Sequence, residues 1–275
     1  MPWLSSPAPR WWVLCRFVLL HVGTSLTVVP VTSALNRIMI AEMQLASALV
    51  AFLVTLPYWL APLQIWLGSV MDRQVQAGRQ RTGWILLGGA LAAGGCALTA
   101  PAAFLIPAYP VWGLVVTGGI FTLWGVGINI ASVSYLALLS AQEDREQRNR
   151  TVGIMFVCMI GASITTGLFL AQQLQVYSPT QVTIAFGLVA LVALAAIWVG
   201  AWRMESPAAQ SLPRRPAGTG ASSFQALTQN PVALRFFLYL LIILISIHAQ
   251  DILLEPYGAE VMGMSVSATS RLVSY

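Results

Sequence analysis

Three side chains near the end of the chain, His248, Asp251 and Glu255, are of the kinds that bind metals, relay protons or hold a charged ligand. Their spacing is i, i+3 and i+7, so on a helix they share one face, with Gln250 beside them. The same groups equally suit a hydrogen-bond network between helices, and the spacing leaves both readings open. The stretch before them, Val232 to Ile247, is apolar except for Arg235 and Ser246. Carboxylates are costly in lipid, so the face is expected to turn toward protein or a water-lined space. Pro256 biases Glu255 away from α geometry, which predicts a helix end there and a turn at Tyr257-Gly258.

No enzyme constellation accompanies this face. The chain has two His, no metal-ligand spacing, no nucleophile elbow and no phosphate-binding loop, so no catalytic residue and no resident metal are expected. Gly125-Val-Gly127 is too short for a nucleotide loop and lies inside an apolar run. Cys15, Cys96 and Cys158 are far apart and apolar in context, which reads as packing. His21, inside another apolar run, is read as a hydrogen-bonding group between helices rather than a ligand.

The elements that must position these residues are set by composition. The chain is 57% hydrophobic and 8% charged, with a mean hydropathy of +0.76, and several of its apolar runs approach or exceed the roughly 18 residues that cross a bilayer as helix. An all-α polytopic membrane protein follows. Spans are expected at about 13–33, 45–68, 83–106, 111–139, 151–173, 181–202 and 232–254, with an eighth starting at 266. Pro57 and Pro62 predict kinks in the second, and Gly89/Ala93 with Ala90/Gly94 predict close packing of the third. All 14 basic residues are Arg and sit mostly in the loops between spans 2–3, 4–5 and 6–7. Arg37 is the exception among the other loops. Positive-inside bias then places the N-terminus in the cytoplasm and excludes a nucleic-acid surface. The loop Gln142–Arg150 is expected to be solvated and to pair its charges internally.

Residues 204–231 change character, with Pro207, Pro213, Pro216, Gly218 and Gly220 among Ser and Ala, the composition of a flexible linker. The expected organisation is a six-span N-terminal bundle over 1–203, a cytoplasmic linker over 204–231, and the start of a second bundle over 232–275. A chain of this kind reads as truncated after the start of span 8.

Two strings carry a family resemblance. Gln250-Asp-Ile-Leu-Leu-Glu-Pro-Tyr-Gly-Ala-Glu-Val-Met-Gly-Met-Ser-Val-Ser-Ala-Thr269, which includes Pro256, Tyr257 and Gly258, resembles the signature of the PucC-like proteins. Leu35-Asn36-Arg37-Ile-Met-Ile-Ala-Glu42 is a second match. This family is a branch of the major facilitator superfamily linked to light-harvesting complex assembly and to handling (bacterio)chlorophyll. Gly68-Ser-Val-Met-Asp72-Arg73, then Gly78-Arg79-Gln-Arg81, resembles that superfamily's loop between spans 2 and 3, with about three extra residues at Val75-Gln-Ala77. There Gly68 would let helices approach, and Asp72 would pair with an Arg or cap a helix to latch one conformation; a plain positive-inside loop is the bland reading.

The resemblance implies a protein of the bacterial inner or photosynthetic membrane. It would bind or deliver (bacterio)chlorophyll as cargo, with light-harvesting or photosystem subunits and the lipid bilayer as partners. A secondary transporter of a small solute is the alternative. Spans 1 to 6 hold no acid mid-membrane, which speaks against proton coupling within this bundle and for an apolar or amphipathic ligand.

Overall fold

Apolar runs punctuated by Pro, Gly and short polar stretches fold as helices joined by tight links. The computed structural model describes residues 10–60, 63–142, 144–174, 177–202, 204, 228–265 and 268–269. Among the described residues every regular element is helical. In chain order these are α1 (Arg10–Leu26), continued by π-helical turns at Pro30–Leu35 and Ile38–Glu42, then α2 (Ser47–Trp59), α3 (Leu63–Gln76), α4 (Thr82–Ala103), α5 (Pro110–Ser140), α6 (Arg145–Gln173), α7 (Pro179–Ala201) and α8 (Pro231–Glu260). Five of them, the α1 rod over Trp11–Glu42 and α4 to α7, are long and apolar enough to cross a membrane. Their outward faces stay apolar, as Trp112, Val157, Leu191 and Trp198 illustrate, because lipid rather than water is the solvent. The chain is an all-α polytopic membrane protein.

Helices alternate in direction around two apolar clusters. Near the Glu42 end, Leu35, Ile38, Met39, Leu53, Trp124, Leu170 and Phe186 are buried together. Toward the Arg10 end, Phe17, Leu20, Ile85, Tyr135, Met155 and Ile197 do the same. The α4 helix packs on α5 and α7, α1 packs on α7, α6 and α5, and α2 and α3 lie on α5. α8 reaches the bundle through the π-helical turns that continue α1.

The α4–α5 seam is held by small residues. A Cβ on Gly95 would sit 2.7 Å from Trp124 Cα, and Cβ atoms on Gly88 and Gly127 would run into the backbone of Ala131 and Ala92 respectively. Backbones meet here without side chains between them, which is how helices associate when lipid supplies no hydrophobic drive. This corrects one expected pair. Gly89 does face a neighbour, Ile197 of α7, but Ala90 and Gly94 are exposed. The tight contact runs instead through Gly88, Ala92 and Gly95.

Other boundaries also differ. Span 1 does not end near residue 33; the helical rod runs to Glu42, because Leu35 to Ile40 are buried among neighbours. Span 2 is not one kinked helix but two, α2 ending at Trp59 after Pro57 and α3 starting at Leu63. Pro57 lacks a backbone donor, which weakens the hydrogen bonding of α2 just before its end. α8 passes through Pro256 to Glu260 instead of stopping at Glu255. Pro256 and Gly258 are buried, so surrounding protein holds the interrupted turn in place. Arg145–Arg150 belong to the first turns of α6, where Asp144 Oδ1 accepts from Glu146 N at 3.0 Å and Gln147 N at 3.1 Å. Residues 205–227, most of the expected linker, lie outside the described residues.

Candidate functional site

The segment after α1 is wound as π-helix, with Pro30 opening it and Met43 N donating to Ile38 O across five residues. That winding brings i and i+5 onto one face. Arg37 and Glu42 are such a pair, and Arg37 Nη1 donates to Glu42 Oε1 at 2.6 Å. The Arg37 side chain is 5% exposed and that of Glu42 29%, so the cation is enclosed while the anion looks out of the bundle end. Arg37 Nη2 donates to the Met264 carbonyl at 3.1 Å. That carbonyl is presented by the turn after α8, where Gly263 takes φ +64 and Met264 N bonds back to Gly258 O at 3.0 Å. Arg37 Nε is buried without a hydrogen-bond partner among the described residues. Close by, the Tyr177 phenol is pushed above the ordinary tyrosine range, first by burial and then by the charge of Glu42.

Sequence reasoning took Arg37 for the one cation in a non-cytoplasmic loop. It is a buried strut inside a helix, and it joins the two strings that carry the family resemblance. Nothing in an α-helical period pairs i with i+5. The signal that could have found it was an Arg and a Glu close together in an otherwise apolar string.

At the opposite end of the bundle, Arg81 Nη2 donates to Asp72 Oδ1 at 2.5 Å. Asp72 lies inside α3 and Arg81 just precedes α4, so the pair spans the turn between them. Gly78 is at φ +87; Arg79 N bonds to Gln74 O and Gly78 N to Val75 O, each at 3.0 Å. This is a Schellman ending that glycine accommodates without strain. Of the expected latch residues, Asp72 and Arg81 are paired and Gly78 forms the turn between them, while Arg73 and Arg79 are exposed. Gly68 differs from expectation. A Cβ there would meet only Val133 at an ordinary 3.8 Å, so no close helix approach depends on it.

His248, Asp251 and Glu255 all fall within α8, with Gln250 exposed beside them. The side chains of those three lie outside the described residues. Tyr257, expected in a turn, is an exposed helical residue.

Inside the bundle the other histidine is placed in detail. His21 Nδ1 lies 2.8 Å from Tyr135 Oη, and its ring makes edge contacts with Tyr135 and, at 5.3 Å between centroids, with Phe156. The expected interhelical hydrogen bond is therefore present. Trp124 Nε1 donates to Thr27 Oγ1 at 3.1 Å, and Gln64 bonds to Asn129 between α3 and α5.

The family model described as PUCC protein matches residues 34–275. The chain belongs to the PUCC family. Its relatives include the protein PucC of Rhodovulum sulfidophilum, 26% identical over 273 residues, covering 95% of this chain and 60% of the relative. The protein PucC of Cereibacter sphaeroides is 26% identical over 272 residues, with 95% and 59% covered. A Rhodobacter capsulatus protein named bacteriochlorophyll synthase 44.5 kDa chain is 28% identical over 265 residues, with 95% and 60% covered. The chain spans about 60% of the length of these curated relatives. No solved structure matches it. Both strings that carry the resemblance fall within the matched PUCC region, and Arg37 is the residue that ties them together.

Proposed function

We propose that this PUCC-family chain serves photosynthetic complex assembly by binding or delivering (bacterio)chlorophyll, without catalysing a reaction on it. The observation that carries this reading is the family match over 34–275, among relatives one of which is named for bacteriochlorophyll synthesis. The bundle supports it. Its interior is apolar and aromatic, and its described acids lie at the two ends, Glu42 at one and Asp72, Asp144 and Glu146 at the other, which suits an apolar pigment better than a charged solute. Light-harvesting or photosystem subunits are the partners this reading requires. The synthase name of one relative is met by the same reading, since a protein that holds the pigment serves its production without performing the chemistry.

The test is purification of the chain from a pigment-producing host. Chlorophyll near one per chain, or a co-purifying light-harvesting subunit, is the expected result; protein carrying neither overturns the proposal. The second reading, a major facilitator carrying a small solute, is favoured by the Asp72–Arg81 pair across the α3–α4 turn. Solute flux into proteoliposomes that collapses with the proton gradient would establish it.

A further inference from the structure

His21 offers a ring nitrogen that its hydrogen bond does not use. Nδ1 is taken by the Tyr135 hydroxyl at 2.8 Å, whereas Nε2 is buried and has no hydrogen-bond partner among the described residues. A metal-binding histidine characteristically gives one ring N–H to a fixed partner and presents the lone pair of the other nitrogen to the metal. When Nδ1 carries the proton toward Tyr135 Oη, the Nε2 lone pair is left buried with no hydrogen-bond donor among the described residues. Phe156, whose ring stacks edge-on against the imidazole, is itself half exposed on the outer side of α6.

The same seam widens further along. α1 and α6 run side by side in one direction. Leu26, roughly 7–8 Å beyond His21 along α1, lines a cavity of about 500 Å³ with Ala162, Thr166 and Phe169 of α6 and Leu188 and Val192 of α7. The cavity exists because α6 and α7 pack on α1 far more than on each other. Its hydroxyls are already committed, Thr165 to Gly161 O and Thr166 to Ala162 O, so the walls present hydrocarbon.

We propose that His21 Nε2 is the axial ligand of a magnesium chlorin whose hydrocarbon tail lies in this α1–α6–α7 cavity. The inference rests on the pigment-binding reading above and names its site. The bond is dative, from the Nε2 lone pair to magnesium, with Tyr135 as the positioning residue that keeps the proton on Nδ1.

Three probes on the purified full chain separate the contributions: chlorophyll a, its metal-free analogue pheophytin a, and tailless chlorophyllide a. The unaltered protein is expected to bind chlorophyll a about ten-fold or more tightly over pheophytin a, with a shifted visible absorption band. His21→Leu should bind both at the pheophytin level. Tyr135→Phe should lose part of the metal preference and leave pheophytin binding unchanged, an effect that a purely structural role cannot give. Ala162→Phe should weaken the tailed pigments and spare chlorophyllide a. His248→Leu should change nothing.

If the unaltered protein shows no preference for the metallated pigment, or a folded His21→Leu keeps it, the site is wrong. Loss on His248→Leu instead would move the pigment to α8; the inference then falls while the assembly reading stands. Binding of none of the three probes sinks both. Should His21→Leu fail to fold, the metal preference of the unaltered protein and its response to Tyr135→Phe still decide.

Discussion

Arg37 holds two acceptors at once, and its planar fork is what allows it. Nη1 serves Glu42 and Nη2 serves the Met264 carbonyl, from a side chain that is almost wholly enclosed. A lysine has one compact ammonium on a flexible stem and cannot reproduce that fork. Arg37→Lys is expected to destabilise the protein about as much as Arg37→Met, by about 1–3 kcal/mol, the range for lost charged hydrogen bonds. Glu42→Gln should cost less, because the carboxylate is partly hydrated and Arg37 keeps Met264. Thermal unfolding in detergent of the single and double variants checks this, and additive effects of Arg37→Met and Glu42→Gln would show that the pair is not coupled. Asp72–Arg81 is a different case. Its carboxylate is 41% exposed, so Asp72→Asn should lower stability by no more than about 1 kcal/mol. If the pair latches a conformation, the same variant should still change the reactivity of cysteines placed on the two sides of the membrane; unaltered reactivity would reduce the turn to a topology signal.

Among the elements, α4 decides how closely the bundle can pack. Gly88→Leu pushes a branched side chain into the backbone of α5 and should cost about 3 kcal/mol or more, since neither helix can retreat without losing its other contacts. Gly94→Ala, six residues on, meets nothing within 4 Å and should be neutral or stabilise by up to about 1 kcal/mol through helix propensity. Paired melting curves test the contrast, and equal effects would place the seam elsewhere. The π-helical turns after α1 are the other decisive element. They are less favourable than α-helix, and here they are held by burial on nearly every side. Gly78→Ala at the α3 terminus should cost about 1–2 kcal/mol, because its φ of +87 strains any residue with a Cβ.

For the whole molecule, the alternation of helices puts the Arg37–Glu42 end and the Asp72–Arg81 end on opposite sides of the membrane. With positive-inside bias the second end, and the N-terminus with it, is proposed to be cytoplasmic. In oriented membranes of known sidedness, a single cysteine at Arg79 should then be labelled from the cytoplasmic side and one at Gln44 from the other; the reverse pattern inverts the topology. The proposed organisation, a bundle over 1–203, a linker over 204–231 and a second unit from 232, makes the Arg37–Met264 bond a tie between the two units. Proteolysis within the linker should leave them associated in the unaltered protein and separable after Arg37→Met.

Composition and run length alone determined the membrane class and the positions of the long helices, because insertion in lipid depends on summed transfer energy and backbone satisfaction, which are local to each segment. The two recognisable strings determined the family. Which faces meet was decided only in three dimensions. Every residue from Gly88 to Gly95 except Leu91 is Gly or Ala, so the sequence could not choose between the Gly88/Gly95 seam and Ala90/Gly94. The role of Arg37 was hidden for a related reason. It needs a π-helical period to reach Glu42 and a chain segment 227 residues away to supply Met264, and neither leaves a trace in local periodicity. His248, Asp251 and Glu255 were legible as a spacing; all three fall within α8, and their side chains lie outside the described residues. For His21 the tertiary structure added what the sequence lacked: a hydroxyl 114 residues away that occupies one ring nitrogen and leaves the other buried without a hydrogen-bond partner among the described residues.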